Sequence, residues 1–436
     1  MPTKVQNGSS HFAHALWAVV LGVVSSLACV GVRLALRGMQ WVFTQQGGLL
    51  SEAAQHLSLT RRAMTPVLGA LLALAVLWLA RRYFHATPAR EYVEAIHCEE
   101  GRIPLAPNVW RTLSSIFSLA SGAAVGREGS MIQLAATAAS WVGERSPVRG
   151  ISLSRQVSYG VAAAVATAYQ APIAGIFFAT EIVLEEMPWM ELPFFALASV
   201  AGWLTSRWLL GAGPIFAVRV SLPALSREWL YLLPLAIVLG ALGPLYQAIL
   251  RSLRFAKKWP LALVWGGLVV GLLSLARTTV WGNGDAALLS MMQGKATQGI
   301  LIVLALRLIA TTFCVGTGTV GGVFTPTLFA GAAIGLVAGQ MLHLSQPVLF
   351  AVFGLGCFLS AVTHAPWMAS FMAVELTGEW HLLPVVIVCN LLASFVAHRI
   401  SPRSLYAIAS HEPLDSIAAT HLGEHSGEHP SLQLRS

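Results

Sequence analysis

Residues 169–182 read YQAPIAGIFFATEI, and residues 363–376 read THAPWMASFMAVEL. Laid over each other without a gap, they place Ala171-Pro172 on Ala365-Pro366 and Glu181 on Glu375, an offset of 194 residues. Working outward, GREGS from Gly126 and GGVFTP from Gly321 match at an offset of 195. Two motif pairs in nearly one register divide the chain into halves that meet near the polar stretch 212–228. The matching leaves open whether the halves run parallel or inverted, and chance similarity between Ala/Gly-rich helices is the bland alternative.

Composition sets the solvent for these halves. Of 436 residues, 56% are hydrophobic and 11% charged, against roughly 25% charged in soluble domains, and the mean hydropathy is +0.68. The chain reads as an all-α polytopic membrane protein with one continuous membrane domain. Its formal charge of +8 sits between apolar runs, as in LARRYF, RFAKKWP and ISPRS, which suits anionic lipid headgroups better than nucleic acid. Cys29, Cys98, Cys314, Cys357 and Cys389 lack CxxC spacing, so neither a disulfide framework nor a zinc site is indicated. The run Ala15 to Val32 is long enough to span and is read as a retained first helix, not a cleaved signal.

Apolar segments fall near 12–36, 64–82, 112–125, 128–143, 157–169, 172–184 and 192–211, then near 230–250, 260–276, 299–315, 323–342, 347–361, 366–379 and 382–397. The expected organisation is an N-terminal tail 1–11, a first membrane repeat 12–211, a linker 212–228, a second repeat 229–408 and a disordered cytoplasmic tail 409–436. Several segments are too short for a core of about 30 Å. Helices that stop at membrane depth expose backbone N–H and C=O groups, tolerated only against protein or a polar cavity. In transporters, interrupted helices at corresponding positions of two halves point to a midplane binding site. Arginine pairs flank the second segment on both sides (Arg61, Arg62 and Arg81, Arg82), so charge sets no orientation.

Within this frame Arg127 and Glu128 stand in an otherwise apolar stretch. If Gly126 ends an extended segment and a helix starts near Arg127 to Ser130, several N–H groups lack acceptors and the positive end of the macrodipole points into the membrane. Gly321, Gly322, Val323 and Phe324 would do the same from the second half, with Pro326 suited to an early helical position. Moving a unit charge from water into a medium of ε ≈ 4 costs on the order of 20 kcal/mol in the idealised limit; convergent helix termini offset part of it without a lysine that would hold the anion too tightly. Glu128 would compete with the anion for the same terminus, and its protonation would vacate the site. The alternative reading stands beside this: Glu128 caps a helix, and Arg127 pairs with a buried carboxylate or carbonyl.

GREGS resembles the GREGP motif of the CLC chloride channels and proton-coupled chloride exchangers, GGVFTP resembles their GxFxP motif, and SLYAIA (404–409) resembles the segment carrying their pore tyrosine. The similarity runs in matching order from about residue 12 to 408, and WGNG at 281–284 points to a bacterial branch. The resemblance implies two inverted repeats of tilted and broken helices, a homodimer with one pore per subunit, and a bacterial inner-membrane location. It implies that Glu128 is the gate and that chloride is bound by Gly126, Arg127, Gly129, Val323, Phe324 and the Tyr406 hydroxyl. The family's GSGIP serine falls at HATPAREYVEAI, where Thr87 is the nearest hydroxyl. Proton-coupled members carry an inner glutamate where this chain has Ile182, and isoleucine cannot relay a proton. The expectation is therefore passive chloride conduction, voltage- or acid-gated by Glu128; the alternative is a chloride/proton antiporter in which Glu185 or Glu186 substitutes as inner proton acceptor.

Other classes fit less well. His421, His425 and His429 have i, i+4 spacing, but Gly423, Gly427 and Pro430 oppose a helix that would align them for a metal, and no metal or cofactor is expected. No HExxH motif supports an embedded enzyme. A cation channel would favour rings of acidic side chains, and intramembrane acids are scarce here.

Overall fold

The computed structural model describes residues 8–84, 89–148, 150–211, 213–218, 230–294 and 299–406. Thr87, the histidine-bearing tail and, within the 212–228 stretch, residues 212 and 219–228 lie outside these residues. In the first half α1 is Gly8–Thr44, α2 Leu50–Gln55, α3 Leu59–Phe84, α4 Tyr92–Cys98, α5 Leu105–Ala120, α6 Glu128–Gly143, α7 Leu153–Tyr169, α8 Pro172–Phe177 and α9 Leu192–Leu210. In the second, α10 is Leu232–Arg251, α11 Ala262–Ala276, α12 Asp285–Met292, α13 Ile300–Gly316, α14 Phe324–Met341, α15 Pro347–Thr363, α16 Pro366–Thr377 and α17 Leu383–Ile400. There is no strand among the described residues.

Each apolar segment expected from the sequence contains a helix. The short helices α2, α4 and α12 were not expected, because they are brief and mixed in polarity. Among the described residues five helical stretches, including His11–Thr44 and Leu59–Phe84, are long and apolar enough to cross a membrane. Others are not: α16 has 12 residues, about 18 Å at 1.5 Å per residue against a core of about 30 Å. α8 is shorter still and continues as a π-helical turn, Phe178–Val183.

The repeat resolves into matched geometry. α7 and α15 are 17 residues each and start 194 residues apart. Each ends in a left-handed residue, Gln170 at φ 56° and His364 at φ 58°, followed by Ala171 (φ −126°, ψ 80°) and Ala365 (φ −119°, ψ 78°). The proline that follows fixes its own φ at the first helical position of α8 or α16. These two helices run antiparallel, which settles the orientation of the halves. Glu181, just past α8, accepts from Trp367 N (3.3 Å) and Met368 N (2.6 Å) at the start of α16. Glu375, near the end of α16, accepts from Ile173 N (3.0 Å) and Ala174 N (2.8 Å) at the start of α8. Phe177 and its equivalent Phe371 stack face to face, centroids 5.0 Å apart and planes within 3°. A pseudo-two-fold axis passes between those rings, so the halves are inverted.

Candidate anion site

Two residues fix how the Gly126 motif meets its counterpart. Gly126 N donates to Gly322 O (2.5 Å) and Gly322 N to Gly126 O (2.7 Å), a two-bond bridge between the halves. A Cβ at Gly129 would lie 2.6 Å from Gly322 N, and one at Gly126 3.0 Å from Gly322 O, so side chains there would push the two segments of the bridge apart. The bridge brings the first turns of α6 and α14 to one place. Their N–H groups have no intrahelical acceptor, and no backbone carbonyl takes those of Glu128, Gly129 or Phe324 among the described residues. By contrast, the starts of α8 and α16 are already filled by the chain's own carboxylates.

Glu128 opens α6 and is buried, 4% exposed. Its Oε1 accepts from Asn283 Nδ2 at 3.1 Å and lies 3.7 Å from Arg127 Nε, while Oε2 has no hydrogen-bond partner. Asn283 is oriented by its own acceptor, since its Oδ1 takes Asp285 N at 3.3 Å, and Arg127 also reaches Asp285 at 3.4 Å. The loop carrying Asn283 hangs on Arg307, buried on α13, which donates to the carbonyls of Thr279 (2.7 Å), Val280 (3.3 Å) and Gly282 (3.0 Å) and lies over the Phe329 ring. Three carbonyl acceptors and an aromatic face take the place of part of the water this guanidinium gave up, and its Nε is buried without an acceptor among the described residues.

A cavity of about 310 Å³ extends from Glu128, Gly129 and residues 321–324 to Tyr406. Tyr406 is held there because Leu405 N donates to Val362 O at 3.2 Å and its ring meets Phe178 edge-on at 5.9 Å. Arg111, Arg251, Arg254 and Lys257 also line the cavity, against Glu91 and Glu94, with Glu91 paired to Arg111. The excess of cations gives the passage a positive field, which concentrates anions.

The structure thus gathers Glu128, Gly129, Val323, Phe324 and Tyr406 around one cavity, with Gly126 in the bridge behind them. Arg127 does not line this cavity; its guanidinium faces Asp285 and Glu128. Ile182 is buried at 4% exposure on the π-helical turn and is not part of the lining. Glu185 and Glu186 are exposed, and Glu186 pairs with Arg155. Sequence reasoning missed Asn283, Asp285 and Arg307. A lone arginine inside ILIVLALRLIATTFCVG was the available signal, because a charge at membrane depth is a functional candidate by default.

Broken helices in two inverted halves, their N-termini converging on a cavity with a positive field, define a multi-pass membrane protein of the ion-transport class. The voltage gated chloride channel family model matches residues 68–398, and the chain belongs to this family, the CLC family. A Citrobacter koseri protein named voltage-gated ClC-type chloride channel ClcB is 34% identical over 413 residues, covering 91% of this chain and 98% of that one. A Shigella flexneri protein of the same name matches at the same identity and coverage. Among solved structures, a slow cyanobacterial Cl−/H+ antiporter superposes with a TM-score of 0.80 at 21% identity, covering 92% of this chain and 98% of that one. A CLC-type fluoride/proton antiporter superposes at 0.76 and 23% identity with the same coverage. These share the fold.

Proposed function

We propose that the chain conducts chloride passively across a bacterial inner membrane, gated by Glu128 and opened by acid or by voltage. The supporting observation is Glu128 itself: a carboxylate set on the free N-terminus of α6, where a permeating anion would sit. With the carboxylate ionised, Glu128 fills the site; protonated, it no longer competes, and chloride takes the N–H groups of α6 and α14. Each terminus carries roughly half a positive charge, and Tyr406 lines the same cavity, where its hydroxyl would donate to the anion. Gly126, Arg127 and Gly129 shape the outer turn, and Thr87 is kept as a further hydroxyl ligand.

The absence of coupling is carried by Ile182. An apolar, buried side chain at that position supports conduction without a fixed proton stoichiometry, and the ClcB-named relatives fit this reading. The structural neighbours titled as antiporters support the second one, chloride/proton exchange with Glu185 or Glu186 as the inner acceptor. We further propose a homodimer in contact with anionic lipid, with membrane repeats at 12–211 and 229–408 joined by 212–228 and flanked by the 1–11 and 409–436 tails. Chloride release and proton movement recorded together from reconstituted vesicles test the reading. Chloride efflux without uphill proton transport is expected; proton transport driven by a chloride gradient would replace it with exchange.

A further inference from the structure

A second, smaller cavity lies beside the gate and shares no lining residue with the first. It measures about 30 Å³; Arg33, Arg37 and Gln40 of α1, with Arg127 and Asn283, are its polar lining, and the rest of the wall is leucine, alanine, valine and glycine. A site needs about 10 to 15 Å³ to hold one water, so there is room for a single small guest. Asn283 joins the two cavities: it lines this one and donates to Glu128, which lines the other.

The charges here do not cancel. Arg33 lies within electrostatic reach of Arg37, Arg127, Glu128 and Asp285. Three guanidinium groups face two carboxylates, which leaves one positive charge. Arg127 has Asp285 and Glu128 as partners, whereas Arg33 Nε is buried without an acceptor. Such a donor normally has a water or an ion against it. Arg37 is exposed, so the cavity reaches the surface, and Asn283 keeps a second Nδ2 hydrogen beyond the one given to Glu128. A single monovalent anion satisfies the free donor and the unpaired charge together.

We propose that this cavity is an anion-binding site on the far side of Glu128 from Tyr406, where chloride waits between Arg33, Arg127 and Asn283 before the gate admits it. The proposal deepens the chloride-conduction reading and rests on it. When Glu128 swings aside, Asn283 loses its acceptor and the waiting anion becomes the nearest one; a Glu128 that is only protonated still accepts from Asn283 but no longer repels the anion. The handover then moves chloride from the arginine cavity to the α6 and α14 termini without passing through water.

Crystals of the full chain grown in bromide and measured at the bromine absorption edge test it. Anomalous peaks are expected both beside Tyr406 and between Arg33 and Arg127, with Arg33→Gln losing the second and keeping the first. Bromide beside Tyr406 only, or a peak between the arginines that persists at full height in Arg33→Gln, overturns the proposal while leaving chloride conduction standing. Bromide at neither place tells against both. Should Arg33→Gln not fold, the wild-type map still decides, and the exposed Arg37→Gln is expected to lower the outer peak several-fold.

Discussion

Asn283 donates a hydrogen bond to one carboxylate oxygen of Glu128 at 3.1 Å. Hydrogen bonds to charged groups contribute about 1.5 to 3 kcal/mol, so if Glu128 is the proposed gate, Asn283 would bias the ionised carboxylate toward the closed position. Asn283→Leu is expected to raise chloride efflux at neutral pH by at least about 10-fold, the equivalent of about 1.5 kcal/mol or more, as read by vesicle efflux. Glu128→Gln removes the competing charge altogether, and its efflux should stay high and nearly flat from neutral to acidic pH, where wild type rises as pH falls. An unchanged pH profile in this variant would remove Glu128 from the gate. Tyr406→Ala deletes a hydroxyl from the far end of the cavity; a several-fold weaker chloride affinity by calorimetric titration, with the thermal transition intact, is the expected result. Glu128 and the residues at 323–324 were legible from sequence because motif, glycines and spacing coincide. Asn283 was not, because its partner is 155 residues away and nothing local marks an amide in a polar loop as the donor to a buried carboxylate.

Helices α8 and α16 show what the repeat did and did not disclose. Aligning Glu181 with Glu375 identified equivalent residues. It could not say that each carboxylate caps the other half's helix, since that exchange requires an inverted axis and a parallel one would part them. The macrodipole and two N–H donors per carboxylate make each cap a charge-assisted contact. Glu181→Gln and Glu375→Gln should each destabilise the fold by about 2 kcal/mol. Because the caps are related by symmetry, their melting temperatures in detergent should fall by similar amounts. A large loss in one and none in the other would mean that the pseudo-symmetry is geometric but not energetic. Helices α2, α4 and α12 were illegible for a different reason: six to eight residues of mixed polarity carry no periodic signal, and tertiary packing, not propensity, makes them helical.

For the molecule as a whole, the question is whether a proton can follow chloride. On the proposed reading Glu128 would serve one part of such a route and Ile182 would interrupt another, while Glu185 and Glu186 stand at the surface. An equilibrium potential measured under opposed gradients should therefore follow chloride alone; a shift with the proton gradient at fixed stoichiometry would establish exchange, and Glu185→Gln and Glu186→Gln would then be expected to abolish it. Ile182→Glu is expected to leave the potential unshifted, because a carboxyl added to an apolar setting without water stays protonated. The reciprocal caps carry one more consequence, for synthesis on the ribosome. Glu181 and the open end of α8 find their partners only when residues 366–376 have been made. At about 5 to 20 residues per second, that interval lasts about 10 to 40 s. Through it the first half has a carboxylate and two N–H groups without the partners they meet in the finished fold, and leaving them unmatched in hydrocarbon is costly until the inverted half arrives.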